Sequence, residues 1–410
     1  MKKVFLIVML TALLNAAEGL STLIEAAHQN ELIHVYQQKM RSVKFSREAV
    51  QSSYLPQVDL GGSATFVDET GSIDVGKTYT ASAKATAVIF DGFKRENLLD
   101  ELQERIYATQ SDLIGYKKTL SLQITQYYYQ LLNLQGDIEA QQQNKKLLQQ
   151  ELERKKRFFD ARIVTQEDVE RINAALANAD YEIEQLRYGA DEIKAKLYTL
   201  TDVAVESLAY CELIVPQLIE PEELDSIRSL RYQSTALGYS AAQRTSSNLP
   251  TLTIQDTYSF YSYDDEPTAF PIDRVDQQNR LMLMLNMNIL DFSMASKEKE
   301  SVIAEKMALD SQIAYENKLS EANIALAKKA IERSKVLIRA AELALSASEK
   351  TFQTIEKKYH VNVVDYVKYL DALYQKSDAQ AQFNTAKNKL QLAYAQYYYY
   401  AGLDIKEYLK

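Results

Sequence analysis

The sequence has few of the residues that interrupt helices. Among its 410 residues there are 11 glycines, 6 prolines, 3 histidines, one cysteine and no tryptophan. Proline is absent between about residues 94 and 200 and again between about residues 297 and 402. This favours helices far longer than the usual length of about 11–12 residues. A loop-rich, multidomain enzyme is therefore not expected.

The same scarcity excludes several kinds of site. The single Cys211 cannot form an internal disulfide, and it is typical of a small buried hydrophobic residue. The histidines His28, His34 and His360 lack the spacing to cysteines or carboxylates that a zinc site requires. No glycine-rich phosphate loop or nucleophile elbow occurs. We therefore predict no enzymatic activity, no cofactor and no metal site. The net charge of −9 argues against nucleic acid as a partner.

The first residues have the pattern of a secretory signal peptide. Lys2 and Lys3 precede an apolar run from Val4 to Leu14, and small residues follow. We predict a signal peptide over residues 1–17 and an exported protein. Beyond it there is no apolar run of about 18–20 residues, so a transmembrane helix is not predicted. Entry into a membrane would require strands.

The rest of the sequence contains one arrangement twice. Residues 31–56 and 224–250 each have the pattern of an amphipathic helix that ends in Leu-Pro. After each proline the hydrophobic period changes to the alternation of strands. The predicted strands are Val58–Val67, Thr78–Phe90, Thr251–Tyr263 and Arg280–Leu290.

Long helices are predicted to follow each pair of strands, with Asp91 and Asp291 as their N-caps. Each copy then continues through a break in the helical pattern into a second helix. The similarity at this distance indicates a duplication. We predict a first repeat over residues 18–210, a connector over 211–223 and a second repeat over 224–410.

Heptad stripes run along the predicted long helices. They comprise Leu99, Ile106, Leu113, Leu120, Tyr127 and Leu134 in the first, and Ile324, Ile331, Ile338, Leu345 and Phe352 in the second. Such stripes require partner helices, as in a coiled coil. The stripes taken alone favour a soluble coiled-coil rod over a membrane-associated assembly. The tyrosine runs at Tyr127–Tyr129 and Tyr397–Tyr400 are best explained by packing and hydrogen bonding.

The strands favour a membrane. In Thr78–Phe90 and Arg280–Leu290 one face is apolar or small and the other is polar over about 10–13 residues, which suits tilted outer-membrane strands. A half-buried soluble strand has the same alternation. Four strands cannot close a barrel, and three chains would supply twelve.

The repeated motif is FDARIVTQEDV at Phe159 and YHVNVVDYVKYLDA at Tyr359. Together with the duplicated layout and the paired Leu-Pro signals, it resembles the TolC family of outer-membrane efflux proteins over nearly the whole mature chain. The resemblance implies a mainly α fold with a small β part. It also implies a trimeric duct, in which a 12-stranded β-barrel, four strands per chain, is continued by a long α-helical coiled-coil barrel in the periplasm.

The resemblance places the repeated motif at the periplasmic tip, as the turn between a long helix and its returning partner. It implies a gate or constriction formed by Asp168, Glu167, Lys368 and Asp371. It also implies an adaptor-binding tip formed by Ala161, Arg162, Ile163, Val361, Asn362 and Val363. Acidic residues in the first turn of a helix also stabilise it, so simple capping by Asp168 remains an alternative to gating. A pairing of Asp168 with Lys368 is a further hypothesis.

The implied function is that of an outer-membrane exit duct in a tripartite efflux or type I secretion system. Its expected partners are two further copies of the chain, a periplasmic adaptor, an inner-membrane transporter and outer-membrane lipid. An exported coiled-coil scaffold of the envelope, which forms no channel, is the alternative.

Overall fold

The computed structural model of the chain describes residues 19–68, 75–217, 220–264, 273–361 and 363–410. These residues form seven α-helices, four β-strands and one 3-10 helix. The predicted signal peptide lies outside the described residues, as does Asn362. Within the described ranges, the structure contains no helix that combines the length and the apolar character needed to span a membrane.

Helices and strands follow one another in an order that occurs twice after the short helix α1 (Leu20–Ala27). The first series is α2 (Glu31–Ser52), β1 (Gln57–Phe66), β2 (Lys77–Phe90), α3 (Lys94–Asp160) and α4 (Gln166–Thr201). The second is α5 (Asp225–Ser246), β3 (Thr251–Asp264), β4 (Gln277–Asn286), α6 (Met294–His360) and α7 (Tyr366–Tyr400). The predicted mainly α fold with a small β part is thus confirmed. The boundaries of the repeats, at 18–210, 211–223 and 224–410, stay a prediction.

The chain packs into two compact units. The sheet unit comprises Tyr36–Asp112 and Ser226–Glu316 and contains all four strands. The helical unit comprises the chain up to Val35, Leu113–Asp225 and Asn317–Lys410. It contains α1, α4, α7, the 3-10 helix (Ile405–Tyr408) and long parts of α3 and α6.

The four strands form one antiparallel sheet in the order β1-β2-β3-β4. Strands β1 and β4 are therefore its edges. The prediction that the last strand reaches Leu290 is wrong, because β4 ends at Asn286. Asn286 pairs with Thr251, the first residue of β3, so the residues after it have no strand residue opposite them within the chain.

The register gives the sheet one apolar face and one polar face, because directly paired residues point to the same side. On the apolar face Leu60 pairs with Ala83, and Ile254 pairs with both Ala87 and Leu283. Asp256 is a carboxylate on this face. Large side chains of the apolar face are exposed to solvent, namely Val58, Leu60, Phe66, Phe260, Leu281, Leu283 and Leu285. The predicted alternation is therefore confirmed.

The polar face carries hydroxyl and charged side chains. Asp59 and Lys84 are directly paired across β1 and β2. Their carboxylate and ammonium groups lie 3.5 Å apart. Serine and threonine dominate the rest of this face along the two central strands, at positions 78, 80, 82, 86, 253, 257 and 259.

Two tight turns connect the strands to the long helices. Gly92 and Phe93 have φ values of 69° and 65°, and Phe292 and Ser293 have φ values of 48° and 71°. The predicted caps need correction, since the helices begin at Lys94 and Met294, three residues after the aspartates. Each carboxylate nevertheless accepts a hydrogen bond from a first-turn amide, from Arg95 N and Ala295 N respectively, both at 3.1 Å.

Buried tyrosines organise the core of the helical unit. Tyr128, Tyr129 and Tyr398 are all at least 98% buried. Their hydroxyls donate to the backbone carbonyls of Ala209, just before the predicted connector, and of Cys211 and Ile214 within it. Burial raises the pKa of Tyr398 to about 12, so this hydroxyl stays a donor at physiological pH. The prediction that the tyrosine runs pack and form hydrogen bonds is confirmed.

The predicted heptad stripes lie against neighbouring helices. Leu120 is 1% exposed and Ile331 is 8% exposed, and every other residue of the two stripes is buried or half-buried. Burying a large apolar side chain contributes about 1.5–3 kcal/mol, so stripes of this length dominate the packing of the helices.

We expect Gly92→Ala to destabilise the sheet unit. An Ala Cβ would lie 2.6 Å from Leu249 Cβ and 2.9 Å from the Ser246 carbonyl oxygen, at a φ of 69°. The left-handed conformation alone costs about 1–2 kcal/mol for a residue with a Cβ. The matched control is Gly238→Ala within α5, where a Cβ meets nothing within 4 Å.

The control substitution should stabilise by up to about 1 kcal/mol, because alanine favours helix over glycine. Thermal unfolding of the purified variants followed by circular dichroism measures both effects. Equal melting temperatures for the two variants would contradict this account of the turn.

Candidate functional site

The turn between α3 and α4 has the hydrogen bonds of a Schellman motif. Ile163 N donates to Phe158 O and Arg162 N donates to Phe159 O, both at 2.8 Å. Arg162 has a φ of 59°, the left-handed position where glycine is the usual residue. The turn thus closes without glycine or proline, and it leaves the Ile163 side chain 69% exposed.

A capping box begins the returning helix α4. Thr165 is the N-cap, and its hydroxyl oxygen accepts a hydrogen bond from Asp168 N at 3.4 Å. The Asp168 carboxylate accepts reciprocally from Thr165 N at 3.2 Å and from the Thr165 hydroxyl at 3.1 Å. Glu167 accepts from Arg171 at 2.9 Å on the exposed side of the same turn. The geometry therefore gives Asp168 a capping function.

The second turn, between α6 and α7, is closed in a similar way. Val363 N donates to Lys358 O at 2.9 Å, and the Asp365 carboxylate caps α7 by accepting from Lys368 N at 2.9 Å. Val361 and Val363 are both 68% exposed. Asn362, between them, lies outside the described residues.

In the described residues, the side chains predicted for a gate form their hydrogen bonds with other residues of their own helices and turns. The Lys368 side chain is exposed, and the exposed Asp371 carboxylate accepts from Gln375 Nε2 at 3.0 Å. Within the described part of the chain, no ion pair joins Lys368 to Asp168. The gating roles of Asp168, Glu167, Lys368 and Asp371 stay a prediction. So does the adaptor-binding role of Ala161, Arg162, Ile163, Val361 and Val363.

Instead, a buried cluster of aromatic residues joins the two hairpins near their turns. The Tyr359 ring stacks on Tyr369 with a centroid distance of 4.7 Å, and Tyr369 packs against Phe352 at 5.8 Å. Ile172 of α4 is fully buried in the same cluster. We refer to Glu151, Arg154, Tyr359, Tyr366 and Tyr369 as the tip cluster.

A charged pair completes the tip cluster from the side of α3. The Tyr359 hydroxyl donates to the Glu151 carboxylate, which is 6% exposed. Arg154 lies over the Tyr359 ring at 4.5 Å from its centroid, and its guanidinium is 3.9 Å from Glu151. Burial raises the pKa of Tyr359, and its hydrogen bond to Glu151 acts in the same direction. The hydroxyl therefore remains a donor over the physiological range.

The tip cluster contains one polar atom with no partner in the described residues. The Tyr366 hydroxyl is buried, and within the described residues it neither donates nor accepts a hydrogen bond. Burial is the largest cause of its raised pKa, followed by the nearby Glu151 charge. Lys155 lies over the same ring at 5.4 Å. A buried polar group without a partner costs about 1–3 kcal/mol, which makes the packing here less favourable than in a purely apolar cluster.

Glu151 was not among the residues predicted from the sequence. A signal for it exists, because Glu151 lies three residues after Leu148, which continues the heptad phase of Leu120 and Leu134. A residue three positions after a member of a heptad stripe also faces the partner helix. A carboxylate buried at such a position needs a hydrogen-bond donor. In the described residues no three His, Cys, Asp or Glu side chains come together in a way that could hold a metal ion.

Comparison with sequence families gives one match. The model of a family described as outer membrane efflux protein matches residues 23–202. These residues extend from α1 to the end of α4. A search of curated protein sequences finds no match.

Several solved structures of bacterial membrane proteins have the same fold. A membrane protein from Pseudomonas aeruginosa superposes with a TM-score of 0.81 at 13% identity, covering 93% of each chain. The outer membrane channel CmeC of Campylobacter jejuni gives 0.80 at 14% identity, covering 93% of this chain and 85% of CmeC. The outer membrane protein VceC of Vibrio cholerae gives 0.78 at 13% identity, covering 94% and 96%.

We expect Asp168→Ala to weaken the start of α4. Loss of a capping side chain costs about 1 kcal/mol, so the amides of the first turn should exchange with solvent about fivefold faster. Hydrogen exchange followed by mass spectrometry measures this. Asp371→Ala is the matched control, since Asp371 bonds only the Gln375 side chain. If both variants change the exchange of their helices equally, the capping box does not stabilise α4.

Proposed function

We propose that this chain works as the exit duct of a tripartite efflux or type I secretion system. The match of its residues 23–202 to the outer membrane efflux protein family and its TolC-like fold support this proposal. Three copies would place their sheets in the outer membrane and their helices in the periplasm. Solutes would pass through by diffusion, and an inner-membrane transporter would supply the energy. The observation that carries this proposal is the open, two-faced sheet.

The edges of the sheet support the trimer. Strands β1 and β4 each have one edge without a strand partner among the described residues. In lipid every unpaired backbone group costs several kcal/mol, so an open edge cannot persist there. Pairing β4 of one copy with β1 of the next in three copies would close a ring of twelve strands, in which each of the three contacts satisfies two edges and none of the six stays open.

The two faces of the sheet support an arrangement in which the apolar face points out of such a ring and the polar face points into it. An apolar face with Leu60 84% exposed and Leu283 66% exposed is costly in water and favourable against lipid. The opposite face, with the Asp59–Lys84 ion pair and its hydroxyl side chains, suits a water-filled lumen. A soluble scaffold would have to cover the apolar face with another protein layer.

The tip cluster supports a gate between the two hairpins of each chain. The bond from Tyr359 to Glu151 links α6 to α3 and is buried, so breaking it leaves a carboxylate without its donor. The carboxylates of Glu167, Asp168 and Asp371 and the ammonium group of Lys368 lie on the two returning helices, and all but that of Asp168 are exposed. We assign the closing contact to Glu151 and Tyr359, and the lining of the entrance to the exposed charges.

The turns themselves fit the role of an adaptor-binding tip. Ile163, Val361 and Val363 are apolar, each more than two thirds exposed, and each lies at a helical turn. Apolar side chains on protruding turns are favourable only if a partner covers them. A periplasmic adaptor with an apolar, helical end is the partner proposed here.

Membrane fractionation and single-channel recording test the proposed duct. The protein should remain with outer membranes after a carbonate wash, and the purified protein should give discrete current steps in planar bilayers. Release by carbonate together with absence of current would favour the envelope scaffold and overturn the duct.

We expect Tyr359→Phe to raise the open probability of the channel. The variant keeps the ring stacked on Tyr369 but removes the hydroxyl that satisfies the buried Glu151. Loss of a hydrogen bond to a charged group costs about 1.5–3 kcal/mol. The closed state should therefore be depopulated about tenfold or more. Single-channel current at fixed voltage measures the open probability.

Tyr374→Phe is the matched control, because Tyr374 lies on the same helix as Tyr369 and is 57% exposed. Glu151→Gln should reproduce part of the effect, and the double variant should add little to Tyr359→Phe because both changes remove one contact. A Tyr359→Phe channel with the open probability of the wild type would exclude Glu151–Tyr359 as the closing contact.

A further inference from the structure

Helices α3, α4, α6 and α7 line a cavity of about 1010 Å³ within the helical unit. Along α6 it lies between the buried side chains of Ile331 and Phe352, and along α7 between those of Leu373 and Tyr394. Small side chains leave this space open, because six of the lining residues are alanines, at positions 140, 340, 341, 344, 381 and 386. A cavity of this volume accommodates a drug-sized molecule.

The walls of the cavity are mainly apolar. Leu134 of α3, Leu186 of α4 and Leu337 of α6 lie beside the alanines. An apolar wall favours a ligand with an apolar body, because binding removes the surface of that body from water. The shape and the walls therefore suit an organic molecule. A bare metal ion needs oxygen ligands on several sides at about 2.0–2.6 Å, and it would not fill such a space.

Two carboxylates in the lining, those of Asp137 on α3 and Asp378 on α7, have free oxygen lone pairs. Asp137 is half-buried, and its carboxylate forms no hydrogen bond or ion pair with the described residues. Asp378 accepts one hydrogen bond, from Gln382 Nε2 at 2.7 Å. Burial raises the pKa of Asp137, and repulsion by the Asp378 charge acts in the same direction. A positive charge between the two carboxylates would offset both effects.

The register of α3 against α7 gives the spacing of these carboxylates. Gly136 lies beside Asn384, where a glycine Cβ would be 3.6 Å from the amide nitrogen. The two helices are antiparallel, because α3 runs towards its turn and α7 runs away from its own. Asp137 is thus level with about residue 383, which is five residues beyond Asp378, or about 8 Å along the helix axis. A cationic centre midway between them would lie about 4 Å from each in height.

The other charged residues of the lining favour a cation as well. Glu182 of α4 adds a third carboxylate, and α6 contributes only Leu337 and alanines. Lys389 of α7 is the basic residue of the described lining. It lies six residues beyond the level of Asp137, or about 9 Å along the axis, at the end of the cavity away from Asp378.

The cavity lies on the side of α7 that carries Asp371. Asp371 and Asp378 are seven residues apart, so they lie on the same side of the helix, and both are exposed. Asp371 is one of the residues predicted to line the entrance. In the proposed duct the cavity would therefore open towards the lumen.

We propose that this cavity binds organic cations with an apolar body, and that Asp137 and Asp378 hold the positive charge between them. The role of the site in transport rests on the proposed duct, because the site would hold cations that pass through the lumen. The inference gives the duct a class of solute, and it assigns that preference to residues of this chain as well as to the transporter.

Equilibrium dialysis of tetraphenylphosphonium against the purified full-length protein in lipid nanodiscs tests the site, with empty nanodiscs as the blank. The cation should bind about tenfold more tightly than triphenylphosphine oxide, which has a similar apolar body and no net charge. Asp137→Asn and Asp378→Asn should each weaken binding of the cation about fivefold and leave binding of the neutral compound unchanged. Glu342→Gln is the matched control, because Glu342 is an exposed carboxylate of α6 that does not line the cavity.

Two further changes separate the contribution of charge from that of shape. Ala340→Phe places a large side chain in the cavity and should weaken binding of both compounds alike. Lowering the pH should weaken binding of the cation alone, because a protonated Asp137 carries no charge. Since the pKa of Asp137 is raised, this loss should begin above the ordinary titration range of an aspartate.

Single-channel recording distinguishes failure of the site from failure of the duct. Tetraphenylphosphonium should cause brief blocks of the current, and Asp137→Asn should shorten them. A conducting channel that binds both compounds equally, with no effect of Asp137→Asn or Asp378→Asn, would overturn the inference and leave the duct standing. A protein that conducts no current and is released by carbonate, yet binds the cation through Asp137 and Asp378, would overturn the duct and leave the cavity as a binding site.

Discussion

Closure of the sheet is the constraint on which the rest of the structure depends. A sheet of four strands with both edges open is tolerable in water, where solvent satisfies the free N–H and C=O groups, and intolerable in lipid. Here the face that lipid would contact is apolar, whereas the edges beside it are open. In the proposed duct, the chain would be stable in the membrane only as part of a closed set of copies, and membrane insertion and assembly would be one process.

The helical unit would also need neighbouring copies, in its case to cover apolar side chains. Each chain has buried heptad stripes that fill much of the space between its own helices, and it leaves apolar surfaces exposed around Tyr188 of α4 and Leu343 of α6. In the proposed ring, each of these surfaces would lie against a neighbouring copy, under the same symmetry that pairing of the sheet edges would impose on the strands.

Much of the fold could be predicted from the sequence because its signals are local. The Leu-Pro pairs before Gln57 and Thr251 lie where helix gives way to strand, and the pattern Thr165-x-x-Asp168 is a capping box visible in four residues. The end of β4 was predicted incorrectly, since the apolar alternation continues to Leu290 while the partner strand does not. The alternation of apolar and polar residues shows which residues suit a strand. Where a strand ends depends also on the length of the strand that pairs with it.

The tip cluster could not be predicted in the same way. Glu151 and Tyr359 are more than 200 residues apart in the sequence, and their contact depends on the offset between two hairpins. The offset between the hairpins is determined by many packing contacts along both helices together. No short sequence motif therefore indicates it. The resemblance to a family predicted only that the two turns lie together at a tip, and the residue that contacts Tyr359 is seen only in the structure.

The connector between the repeats has a consequence for the order of synthesis. Its backbone is held by Tyr129 from the first repeat, by Tyr398 from the second, and by the bridge between Leu213 and Leu409. Contacts between residues so far apart in sequence are slow to form, because the chain between them must first be ordered. The connector therefore cannot reach its final conformation until the chain has been made as far as residue 409. A chain interrupted before that point would leave this segment open to proteolysis, so incomplete copies would be the first to be degraded.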